Sequence, residues 1–234
     1  MLATLIQNAS PLSHSTKATH ILVILPKLDK SLDKFPDKPD FLGRDVLEAL
    51  LARRKMMSDE ISEAPVSANL KSGALCAWIM PDLDKSRYEQ QTCVRKAVQL
   101  LLEENPAEIH LAVYGDAEQK RAFAELAVYA AWVNGALLPS RKSGKKKPDR
   151  KALTGIVLHG HKEADGFALL RAKAEGNLLT RELTVLPPNE LTPGAYRKRV
   201  KKLAASEGWK HQEFDLKALR KMGAGAFVAV AQGS

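Results

Sequence analysis

Short apolar runs alternate along this chain with segments whose apolar positions recur every three or four residues. The runs Ala18–Leu25 (ATHILVIL), Gly73–Met80 (GALCAWIM), Glu108–Gly115 (EIHLAVYG) and Leu153–Gly160 (LTGIVLHG) are aliphatic or β-branched and bounded by polar, Pro or Gly residues. They read as strands, buried on both faces where the run is unbroken. Phe41–Lys55 sets Val46, Leu47, Leu50 and Leu51 at helical spacing, and Arg87–Asn105 sets Val94, Val98, Leu101 and Leu102 on one face. Asp116 is placed as the N-cap of a helix from about Ala117 to Val133, where its carboxylate can accept a free backbone N–H. DKSLDKFPDKPD, with its prolines and charges, reads as a loop. The strand–helix–strand repetition predicts an α/β fold, a mostly parallel sheet flanked by helices, over residues 1–162.

Residues 163–186 form a long helical pattern in which Leu169, Leu170, Ala174, Leu178 and Leu179 can share a face. It stops at Pro187 and Pro188, which cannot continue a helix, and is read as a linker helix. Thr192 as N-cap and Pro193 at the first helical position then open a helix to about Ser206. Trp209–Asp215 reads as a short strand. LKALRKMG reads as a short helix closed by a left-handed Gly223, and Ala226–Ala231 as a last strand. Residues 187–234 are therefore expected to be the incomplete start of a second α/β domain.

Charge changes this picture at one place. The net charge is +9, and Arg141–Lys151 (RKSGKKKPDRK) alone carries seven Lys/Arg and one Asp, a net +6. A solvated surface loop explains such a run, and so does contact with nucleic acid or another polyanion through Arg141, Lys142, Lys145, Lys146 and Lys147. No aromatic residue interleaves the run, so base stacking is not indicated. No stretch has the length of a membrane span, and the N-terminus lacks the pattern of a secretory signal. Two cysteines without CxxC spacing, Cys76 and Cys93, fit a reducing cytoplasm rather than a disulfide framework. His159 and His161, two apart at a strand end, could face one side and chelate, but no third ligand has matching local spacing. The glycines of GAGA (223–226) follow a helix and precede the expected strand, the reverse of a phosphate-binding loop. From the residues alone no catalytic, metal or cofactor residue is assigned.

Two blocks carry a family likeness. Arg181, Glu182 and Leu183 precede Pro187, Asn189, Leu191, Thr192 and Pro193; about thirty residues later come Leu219, Met222 and Gly223, then Gln232, Gly233 and Ser234. In order and spacing they resemble the leucyl aminopeptidase (cytosol aminopeptidase) family of two-metal exopeptidases. One departure is Val185, where the family commonly has Asn. The resemblance implies an N-terminal α/β domain of macro-domain type, then a linker helix, then the start of the catalytic domain. The parent chemistry implied is hydrolysis of the first peptide bond by two divalent ions, Zn or Mn, usually in a cytoplasmic hexamer, with DNA binding in some bacterial members. The family's metal motifs, resembling Lys-Gly-x-Thr-Phe-Asp-Ser-Gly-Gly and Asn-Thr-Asp-Ala-Glu-Gly-Arg, do not occur in this sequence, so no metal ligand carries over. The chain is expected to be the N-terminal, non-catalytic portion of such an enzyme, inactive alone. The competing expectation is a stand-alone macro-domain-like module binding a nucleotide or nucleic acid.

Overall fold

The computed structural model describes residues 1–27, 40–140 and 150–232. They fall into two compact units, 1–185 and 186–234. The first unit holds strands β1 (Thr4–Asn8), β2 (His20–Ile24), β3 (Val66–Asn69), β4 (Leu75–Ile79), β5 (Glu108–Val113) and β6 (Gly155–His159). Helices α1 (Arg44–Arg54), α2 (Arg87–Leu102), α3 (Ala117–Gly135) and α4 (Ala168–Val185) belong to the same unit. The strands form one sheet in the order β1-β6-β5-β2-β4-β3, parallel throughout except for the β3–β4 pair. The α/β reading holds. Two strands, β1 and β3, were not anticipated: TLIQN and VSAN are short, mostly half-exposed edge strands without a long apolar run.

β2 shows why the sheet is buried on both faces at its centre. Leu22 and Ile24 enter one core with Val94, Val98, Leu101, Phe123, Trp132 and Ala174, from α2, α3 and α4. Ile21 and Val23 enter the other with Leu47, Leu50 and Leu51 of α1 and with Trp78. An unbroken apolar strand is what two covered faces require. α3 starts where Asp116 was expected to cap it: Asp116 Oδ1 accepts from the Gln119 amide at 2.8 Å, and Gln119 Oε1 accepts from the Asp116 amide at 3.1 Å. Ser86 and Glu89 make the same reciprocal pair at the start of α2. The segment read as a linker helix packs, as α4, on the sheet unit. Ala174 is fully buried there, and Arg181 Nη1 donates to the Val133 carbonyl at 2.7 Å.

The second unit contains α5 (Pro193–Ser206), α6 (Leu216–Lys221) and α7 (Gly225–Ala231). Thr192 caps α5 as expected, its Oγ1 accepting from the Ala195 amide at 3.2 Å with Pro193 at the first turn. Gly223 closes α6 with a φ of +72°. The two strands expected here are corrected. Residues 209–215 have no regular structure, and 225–231 are helical rather than extended. A strand needs a partner to satisfy its amides, whereas a helix closes its own hydrogen bonds. No strand lies in this unit among the described residues.

Candidate functional site

The chain runs outward in opposite directions across the sheet from β2 and β5, which lie side by side. β2 leads through α1 and the edge strand β3 to β4 on one side, and β5 leads through α3 to β6 on the other. In parallel α/β sheets the carboxyl ends flanking such a reversal leave a crevice where ligands bind. Here a cavity of about 270 Å³ is lined by Lys27, Pro81, Asp82, Leu83, Asp84, Gln119 and Phe123. Lys27 follows β2, residues 81–84 follow β4, and Gln119 sits in the first turn of α3. Lys27 Nζ donates to Asp82 Oδ2 at 2.5 Å. That hydrogen bond and its charge hold the Asp82 carboxyl below the usual range and raise Lys27. The lysine is thus neutralised by Asp82 with Asp84 beside it, which leaves no net positive charge for a phosphate group.

A second cluster lies on the sheet itself. Glu108 and His110 alternate onto one face of β5, and His159 ends β6, two residue pairs beyond the level of His110 and so on the same face. His110 Nε2 lies 3.0 Å from Glu108 Oε1, and His110 Nδ1 lies 3.1 Å from His159 Nε2. The two ring planes are nearly parallel, 15° apart, with centroids separated by 5.3 Å. The residue opposite Glu108 is Gly155, and a Cβ there would meet Glu108 Oε2 at 2.9 Å, so the missing side chain lets the carboxylate lie across the strand. Burial and the neighbouring His110 lower the pKa of His159, favouring the neutral imidazole.

His159 and His161 do not act together. Gly160 between them has a φ of +90°, which breaks strand alternation, and a Cβ there would meet the Val113 carbonyl oxygen at 2.4 Å. His161 turns to Glu163, with Nε2 at 3.0 Å from Oε2, and packs near Phe167. The partner that His159 does have, His110, is distant in sequence; its signal was the Glu-x-His alternation in EIHLAV. Arg141, Lys142, Lys145, Lys146 and Lys147 lie outside the described residues. The basic charge is also less local than the sequence run implies, because residues 186–234 carry nine Lys/Arg against four Asp/Glu. No group of three or more His, Cys, Asp or Glu side chains suited to a metal ion occurs among the described residues. The donors present there do not fit a two-ion centre. Among the described residues no helix is long and apolar enough to cross a membrane.

The fold defines an α/β protein with a mostly parallel sheet. The sequence profile of the cytosol aminopeptidase family's catalytic domain matches residues 178–234. A probable cytosol aminopeptidase of Pseudomonas aeruginosa is 44% identical over 85 residues, 36% of this chain and 16% of that protein. One from Prochlorococcus marinus is 43% identical over 98 residues, 41% of this chain and 18% of that protein. A tomato leucine aminopeptidase mutant superposes with a TM-score of 0.58 at 15% identity, over 88% of this chain and 43% of that one. The match to the Trypanosoma cruzi leucyl aminopeptidase has a TM-score of 0.55 at 15% identity, over 88% and 42%. These two superpositions speak to fold alone. Residues 178–234 are similar to the leucyl (cytosol) aminopeptidases, as the two sequence blocks indicated, and the alignments span under a fifth of the length of the two curated relatives.

Proposed function

We propose that this chain is the N-terminal, non-catalytic portion of a leucyl aminopeptidase. The parent enzyme releases N-terminal residues from peptides by two-metal hydrolysis, with Zn or Mn as the ions, in a cytoplasmic homo-oligomer. In this reading residues 1–162 are the macro-like domain, 163–186 the connecting helix, and 187–234 the entry into the catalytic domain. One observation carries it: an α/β unit with the fold of leucine aminopeptidases runs directly into a segment, 178–234, that matches the family's catalytic-domain profile. The sequence contributes neither of the two motifs that resemble the family's metal sites. A bridged water needs several carboxylate ligands on both ions, so this chain supplies binding surface and scaffold rather than the reacting centre.

The purified chain is to be assayed on leucine p-nitroanilide with Mn²⁺, with Zn²⁺ and with chelator. The expected outcome is no metal-dependent turnover. Turnover from the pure chain that a chelator abolishes would overturn the non-catalytic assignment.

A further inference from the structure

We propose that His110 and His159 form a two-nitrogen clamp for one divalent transition ion of the zinc class, with Glu108 as the positioning residue. A carboxylate can only accept, so the proton of neutral His110 sits on Nε2, where it is donated to Glu108 at 3.0 Å. That leaves Nδ1 as a bare lone pair. It faces His159 Nε2 at 3.1 Å. Two imidazole ligands of one tetrahedral zinc ion, each at 2.0–2.1 Å, stand about 3.3 Å apart. The two nitrogens are therefore already close to ligating separation, and the ion is admitted when the rings turn so that their lone pairs, now directed at each other across a hydrogen bond, converge on it. As it enters, the proton that His159 Nε2 shares with His110 moves to His159 Nδ1 or to solvent.

The outer arrangement matches what ligating histidines use: the far nitrogen of one ring is held by a carboxylate, which fixes the tautomer and raises the basicity of the ligand. Gly155 keeps the space that Glu108 occupies. The side chains are not sealed: His110 is 16% exposed and Glu108 50%, so an ion reaches the pair from solvent. With two protein ligands the remaining positions are water. The clamp stands whether or not the peptidase reading does.

The test is titration of the full chain with Zn²⁺ at neutral pH, followed by calorimetry and by histidine ring resonances in NMR. At one equivalent the signals of His110 and His159 are expected to shift while those of His14 and His211 do not. His110→Ala and His159→Ala each weaken binding at least tenfold. Glu108→Gln, at a half-exposed position that leaves the fold intact, weakens it about tenfold. Gly155→Val weakens it by displacing Glu108. His14→Ala leaves it unchanged. The clamp is refuted if neither His110 nor His159 responds to Zn²⁺ in the wild type, or if both alanine variants bind as the wild type does. Unchanged affinity in Glu108→Gln removes Glu108 from the proposal.

Discussion

Replacing Arg181 by methionine is expected to destabilise the sheet unit by about 1–2 kcal/mol. Arg181 is the first residue of the Arg-Glu-Leu block that carries the family likeness. On α4 its Nη1 donates to the carbonyl of Val133 at 2.7 Å. α3 ends at Gly135, so Val133 offers one of the last carbonyls of the helix, which has no amide partner within α3. The guanidinium thus closes an orphan acceptor at the negative end of the α3 dipole and ties α4 to α3. A hydrogen bond to a charged group contributes about 1.5–3 kcal/mol, less where water reaches it, as at this half-buried position. Methionine keeps the apolar stem in place and removes the donor, so the loss is read without a large cavity. For a unit of this size that corresponds to a fall in Tm of roughly 2–8 °C. Arg181→Lys keeps the charge but not the planar fork, and recovers about half of the loss. Urea and thermal unfolding are to be followed by fluorescence of Trp78 and Trp132, both fully buried in this unit. If Arg181→Met and wild type share one midpoint and one m-value, the capping role is wrong.

Trp132→Phe removes the indole N–H that bonds the Ala3 carbonyl at 2.9 Å; a loss of about 1–3 kcal/mol is expected in the same urea assay, and an unshifted midpoint counts against it. Burial pushes the Cys93 thiol up to about 11 and Cys76 higher still, so both are neutral thiols at pH 7.5. Iodoacetamide labelling of the native chain is therefore expected to be slow and to become fast in urea; rapid native labelling contradicts this. Non-specific DNA binding by the basic run is expected to fall steeply with salt, and Lys145→Ala/Lys146→Ala/Lys147→Ala to flatten the log–log slope by about 2–3. Equal slopes for the two proteins rule the run out. Limited proteolysis is expected to cut residues 186–234 before the sheet unit, because Trp209, Phe214, Phe227 and Val230 are exposed there. Equal resistance of both units in a monomer contradicts this.

The central sheet was legible in the sequence because its strands are marked twice, by apolar runs and by the helices between them. ATHILVIL and GALCAWIM are apolar on both alternating faces, and both faces are covered. The caps at Asp116 and Thr192 were legible too, since capping is decided within four residues. β3 was not, because VSAN is a four-residue edge strand without an apolar run, although its hairpin partner β4 is near in sequence, and β1 was not, because it gains its pairing from β6, distant in sequence. The histidine cluster failed the local reading for the same reason. Spacing within LTGIVLHGH pointed to His159 with His161, but the parallel register of β5 on β6 decides the pair, and it brings His110 to His159. The crevice at Lys27 and Asp82 likewise exists only once β2 and β4 lie side by side.

The segment 225–231 shows the limit of pattern most sharply. GAFVAVA has Val228 and Val230 as β-branched residues and Phe227 beside them, and reads as a strand by composition. It folds as a helix of seven residues, a length at which helix stability in isolation is marginal. Phe227 and Val230, three apart and so on one helix face, are 71% and 78% exposed. Neither the helix's own propensity nor burial of that face holds the conformation. What the helix provides is local closure of backbone hydrogen bonds where no neighbouring strand is on offer among the described residues of its unit. A strand is a relationship between segments, and a helix is a property of one. The same apolar run is therefore compatible with both, and the choice rests on whether a sheet edge stands beside it. Where one does, Phe227 and Val230 would point to opposite faces and both could be buried.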